Sequence, residues 1–106
     1  MKGKVEGLNP DLINKLIEIE KKVKFELFIN SGKRTEVENT KLLDAVPDSE
    51  HLTGDGADAS AVEGYKKYKI IKAAIELGFT RIGVGRTFIH LGISKSKPQF
   101  VIWTYN

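Results

Sequence analysis

The apolar residues of this chain fall into short runs with two different periods. Leu12, Ile13, Leu16, Ile17 and Ile19 recur at steps of three and four, which places them along one side of a helix. Asn9-Pro10-Asp11 stands just before them, with Asn as an N-cap and Pro at the first helical position. The pattern predicts a helix that runs to about Val23. Phe25-Glu26-Leu27-Phe28-Ile29-Asn30 is aromatic and branched with partial alternation, so it reads as a strand. Ser31-Gly32-Lys33-Arg34 turns the chain, and Thr35 caps a short helix containing Val37, Leu42 and Leu43.

Residues 44–59 are rich in Asp, Gly, Pro and Ser, a composition that predicts a solvated loop. Ser60-Ala61-Val62-Glu63 has the form of a capping box and starts a second long helix. Tyr65, Tyr68, Ile71, Ala74 and Ile75 form its expected apolar stripe, and Gly78 its stop. Three strands follow. Phe79 to Val84 and Thr87 to Ile93 are joined by a tight turn at Gly85-Arg86, and Gln99 to Tyr105 comes after Lys97-Pro98. Helices and strands are thus segregated. This predicts an α+β fold, an antiparallel sheet with flanking helices, in a single domain over residues 1–106.

Composition narrows the chemistry. With 41% hydrophobic and 29% charged residues in 106, the chain is an ordinary globular one. It contains no apolar run long enough for a membrane span. Met1-Lys2-Gly3-Lys4-Val5-Glu6-Gly7 lacks the apolar stretch of a secretory signal. There is no cysteine, so disulfides and zinc-thiolate sites are excluded and any transition metal must be held by His and carboxylate. The net charge of +3 comes from basic residues scattered along the chain. Tyr65, Tyr68, Trp103 and Tyr105 are better read as core or strand residues than as a nucleic-acid surface, because the basic residues form no single motif.

The chain has two histidines. His51 lies in Ser49-Glu50-His51-Leu52-Thr53-Gly54-Asp55-Gly56-Ala57-Asp58, and Asp58 follows it by seven residues across two glycines. His90 lies in the apolar run Thr87-Phe88-Ile89-His90-Leu91-Gly92-Ile93. Taken singly, a strand histidine is most often a packed, hydrogen-bonded residue, and an Asp among glycines is most often a turn residue. Together, two imidazoles and a carboxylate make a three-ligand zinc site that keeps a fourth position for water, the catalytic arrangement.

Four segments, in order, resemble the peptidoglycan-cleaving zinc peptidases of family M15, whose fold is shared with the hedgehog signalling domain. Phe28-Ile29-Asn30-Ser31-Gly32-Lys33-Arg34-Thr35 is similar to a strand ending in Ser-Gly-x-Arg-Ser/Thr, and Asn39 falls where that motif usually has an Asn. Ser49-x-His51-x-x-Gly54-x-Gly56-Ala57-Asp58 resembles Ser-x-His-x-x-Gly-x-Ala-x-Asp. Gly78 to Gly85 and then Phe88-Ile89-His90 resemble the segment carrying the last ligand. The resemblance runs from about Leu8 to Tyr105. It implies a hedgehog/DD-peptidase-like fold, Zn2+ held by His51, Asp58 and His90, and Arg34 paired with a substrate carboxylate through parallel hydrogen bonds. Ser49 then bonds either the substrate backbone or its own loop.

Zinc in such a site polarises the scissile carbonyl and lowers the pKa of its water to about 7. A nearby carboxylate is expected to move the proton. Many members of the family have a Glu three residues before the last His, where this chain has Thr87. Others have an Asp two residues after it, where this chain has Gly92. Asp48, Glu50 and Asp55 are the carboxylates of the His51 loop. Side-chain alternation along an extended stretch favours Asp55 over Glu50 as the catalytic group.

The expectation is a monomeric, phage- or prophage-type lytic peptidase. It acts on the stem peptide of peptidoglycan, by D-alanyl-D-alanine carboxypeptidase or L-alanyl-D-glutamate endopeptidase cleavage. It accumulates in the cytoplasm for release to the wall, or is carried on the virion. The alternative is a non-catalytic or weakly active zinc module that binds wall peptide.

Overall fold

A computed structural model describes residues 1–35 and 49–105. The short helix expected around Val37, Leu42 and Leu43 lies outside the described residues, as do Asn39 and Asp48. The elements in chain order are β1 (Lys2–Gly3), α1 (Pro10–Val23), β2 (Phe28–Ser31), a 3-10 turn (Glu50–Leu52), β3 (Gly56–Ser60), α2 (Gly64–Glu76), β4 (Arg81–Val84), β5 (Phe88–Gly92) and β6 (Val101–Thr104). The fold is α+β, as the segregation of periods predicts.

Helix α1 forms as read. The Asn9 side chain accepts from the Asp11 N–H at 2.9 Å, and Pro10 opens the first turn. Leu12, Leu16, Ile19 and Val23 are buried, while Ile17 lies toward solvent at 37% exposure. Lys24 closes the helix in the left-handed conformation, so the following strand begins at Phe28, later than Phe25.

The six strands form one sheet in the order β1-β2-β3-β5-β4-β6. The three central pairings, β2-β3, β3-β5 and β5-β4, are antiparallel, as expected. The two edge pairings, β1-β2 and β4-β6, are parallel and make the sheet mixed. Strand β1 has no signal in the sequence, since two residues cannot show a period.

Strand β3 corrects the loop reading of residues 44–59. Gly56-Ala57-Asp58-Ala59-Ser60 reads as a turn by composition, yet it is a central strand paired on both sides. Tertiary context overrides propensity there: Ala57 and Ala59 are fully buried, so small side chains fit. Ser60 is consequently not a helix cap. It pairs with Phe88 in the ladder, and α2 starts at Gly64 behind Glu63, which makes no side-chain cap bond.

Helix α2 is also rotated from its expected stripe. Ile70, Ala73 and Ala74 are buried, whereas Tyr65, Tyr68 and Ile75 are exposed. It packs on α1 and β5. The core thus gathers the inner residues of both helices with Ile29, Ala57, Ala59, Ile82, Ile89 and Leu91. Alternation along the strands sends Asp58, Gly83, His90 and Gly92 to the other side of the sheet.

Candidate metal centre

Register brings the separate motifs together. Asp58 pairs with His90 across β3-β5, and Gly83 pairs with His90 across β4-β5. Asp58 and His90 therefore share the sheet side away from the helices. His51 arrives from the 3-10 turn that precedes β3, where the Ser49 hydroxyl caps the turn by accepting from the His51 N–H at 3.2 Å. Ser49 thus bonds its own loop.

The potential ligand atoms of His51, Asp58 and His90 all lie within 4.8 Å of one another. Asp58 Oδ1 is 3.3 Å from His51 Nε2 and 2.8 Å from His90 Nδ1. The two rings meet edge to face with centroids 5.0 Å apart. His51 Nδ1 sits 2.6 Å from the Gly32 carbonyl, which as an acceptor calls for an N–H at Nδ1 and leaves the lone pair on Nε2. Two imidazoles and a carboxylate are ligand types that zinc takes, and the three converge on one volume.

Charge is concentrated here. Burial would raise the Asp58 pKa, but hydrogen bonds and charge from His51 and His90 hold it near 2. Burial would lower that of His90, but Asp58 and Glu50 outweigh it and the net shift is upward. Two carboxylates facing two buried rings thus draw a positive charge into the cluster, which suits a cation.

Glu50 is the residue that sequence reasoning passed over in favour of Asp55. It is 4% exposed. Its Oε1 lies 2.9 Å from His90 Nε2, and its Oε2 accepts the Ser94 N–H at 3.0 Å. Arg81 Nε is 3.1 Å from the same Oε2, an ion pair by distance whose N–H is not aimed squarely at the oxygen. Burial pushes the Glu50 carboxyl up, and His90, Ser94 and Arg81 more than offset it, so its pKa is lowered. The signal that could have found the pair is Arg81 itself. It is a charge inside the apolar run Phe79 to Val84, and a buried charge requires a partner.

Trp103, on β6, packs 5.6 Å from the His90 ring and carries Arg81 over its face at 5.0 Å. Tyr105 lies against Trp103 and Phe88. Its pKa is raised by burial, a hydrogen bond with Trp103 opposes this, and the charges of Asp58 and Arg34 are both felt.

The structure does not bring Asp55 onto the rings. Its Oδ1 accepts from Asn9 Nδ2 at 3.0 Å and its Oδ2 from the Thr53 hydroxyl at 3.0 Å, which ties the loop to the start of α1. Arg34 is half-buried beside the cluster, with its N–H donating to the His51 carbonyl at 2.9 Å. It lines an open groove with Lys33, Leu52 and Thr53. Thr87 is exposed at the β4-β5 turn, and Gly92 is buried.

A family model described as Peptidase M15 matches residues 2–92. No curated protein and no solved structure matches the chain.

Proposed function

The chain belongs to the peptidase M15 family, a metallopeptidase family, and from that premise we propose that it is a zinc-dependent peptidase acting on the stem peptides of peptidoglycan. The observation that carries the reading is the convergence of His51, Asp58 and His90. Zinc would supply a Lewis acid that polarises a peptide carbonyl and acidifies water. The protein's own residues do the rest. The Gly32 carbonyl holds His51 by Nδ1, so that Nε2 faces Asp58. Arg34, beside the groove next to His51, offers a planar fork for a substrate carboxylate. The Ser49 hydroxyl orders the turn that presents His51.

A single domain working as a monomer, of phage or prophage type and released to the wall, completes the reading. Either a D-alanyl-D-alanine or an L-alanyl-D-glutamate bond fits it. Asp55 is tied to Asn9 and Thr53 rather than to His51 or His90. That observation favours a second reading, a zinc module that binds wall peptide and cleaves it slowly.

Release of amino groups from purified peptidoglycan, with and without chelator, tests the proposal. Zinc-dependent release that is lost in His51→Ala is expected, and equal release by wild type and His51→Ala would end the peptidase reading. Binding without release favours the module. Arg34→Ala should weaken substrate use while zinc content is unchanged. Asp55→Asn should slow release if that carboxylate takes the proton.

A further inference from the structure

Two glycines make room for Glu50, Gly92 at its carboxylate and Gly56 at its Cβ and at the His90 ring. A Cβ on Gly92 would fall 2.5 Å from Glu50 Cδ and closer still to both carboxylate oxygens. A Cβ on Gly56 would fall 2.7 Å from Glu50 Cβ and 2.7 Å from His90 Cε1. A side chain at position 92 and the carboxylate at position 50 therefore exclude one another, and one at position 56 would displace the Glu50 stem and the His90 ring. Both Glu50 oxygens are engaged, by His90, Ser94 and Arg81. A carboxylate so enclosed is a fixed acceptor.

An ionised carboxylate can only accept, so the His90 nitrogen against it must carry the hydrogen. In a neutral imidazole the lone pair is then on the other nitrogen. We infer that Glu50 is the positioning residue of the metal centre: from the cradle of Gly56 and Gly92 it binds His90 Nε2–H and turns Nδ1 to Asp58 and the metal. His51 is the mirror case, since the Gly32 carbonyl engages its Nδ1 and leaves Nε2 toward Asp58. The two rings thus present opposite nitrogens to one point, each fixed by an acceptor on its far side. Outer partners of this kind orient a ligating histidine and raise its basicity. Arg81 and the Ser94 N–H keep Glu50 ionised and in place, and Trp103 covers Arg81. The inference rests on the reading that His51, Asp58 and His90 hold zinc.

Zinc affinity by chelator competition, with imidazole 15N spectra of the zinc-loaded protein, tests it. Wild type should bind one zinc, with His90 protonated at Nε2 and metal-shifted at Nδ1. Glu50→Ala should bind zinc about 10- to 100-fold more weakly. The double variant Glu50→Ala/Gly92→Asp should recover part of that loss, by returning a carboxylate to the same space from the β5 side. Glu50→Gln keeps the shape and loses the charge, and should fall between wild type and Glu50→Ala. If Glu50→Ala does not fold, Glu50→Gln and the wild-type spectrum carry the test. Coordination of His90 through Nε2, or wild-type affinity in Glu50→Gln and Glu50→Ala, overturns the inference while leaving the zinc reading intact. Absence of zinc from wild type overturns the zinc reading, and the inference with it.

Discussion

At the scale of single residues, the centre depends on which atoms are missing as much as on which are present. Gly56 leaves no room for a methyl group, because Glu50 Cβ and His90 Cε1 lie where it would go. Gly56→Ala should therefore destabilise the fold by about 1–3 kcal/mol through overpacking, read as a lower urea midpoint with an unchanged slope, and should weaken zinc binding. The titrating groups set a pH window for the metal-free protein. Asp58 and Glu50 have lowered pKa values, so their contributions are present above their ordinary values of 3.8 and 4.5 and are lost on acidification below them, through about 2 for Asp58. The His90 value is raised, so its contribution is full below 6.5 and is lost as pH rises through its folded-state pKa. Thermal scans in chelator should show a plateau between roughly pH 4.5 and 6.5 with declines on either side. Added zinc should remove the alkaline decline, because the metal takes the place of the His90 proton.

At the scale of elements, α1 was legible because caps, proline and period all agree over Pro10–Val23. Leu16 is fully buried and Ile17 is 37% exposed. Leu16→Ala should cost about 2–5 kcal/mol. Ile17→Ala should cost about 0.5 kcal/mol or less. Chemical denaturation of the two variants measures the contrast. Strand β3 was not legible, because a central position between β2 and β5 selects small residues that composition assigns to a turn. Helix α2 was legible in existence but not in orientation. Its tyrosines carry more apolar surface than its alanines, yet the approach of α1 and β5 leaves room for Ala73 and Ala74 and not for Tyr65 or Tyr68.

At the scale of the whole molecule, one sheet separates two chemistries. The side under α1 and α2 is apolar, and the opposite side carries Glu50, Asp58, Arg81 and His90. No helix among the described residues is long and apolar enough to cross a membrane. Metal bound at the cluster should tie the turn at Glu50–Leu52 and the adjacent β3 to β5, which lies far along the chain from both. Zinc at 100 times its dissociation constant should then stabilise the fold by about 2.7 kcal/mol. Dialysis against chelator should lower the melting temperature accordingly, and readdition of zinc should restore it. A His90→Ala variant should show little response to either treatment.

By itself the sequence determined the segregation of helices and strands, the bounds of α1, and the grouping of His51 and Asp58 with His90. The first two rest on local period and caps, and the grouping with His90, far along the chain from Asp58, rests on ligand type and on the resemblance to family M15. Only the tertiary structure decided where Glu50 and Asp55 point. Both are carboxylates of one loop, and local alternation, which favours Asp55, does not show which one long-range packing turns to the rings. Glu50 turns inward because Gly56 and Gly92, from two neighbouring strands, open a space that Arg81 and the Ser94 N–H make hospitable to charge. Asp55 turns outward to Asn9, since α1 starts beside it. Asn9, His90 and the Ser94 N–H are 40 or more residues along the chain from the carboxylates they meet, and long-range packing alone brings them within hydrogen-bond reach.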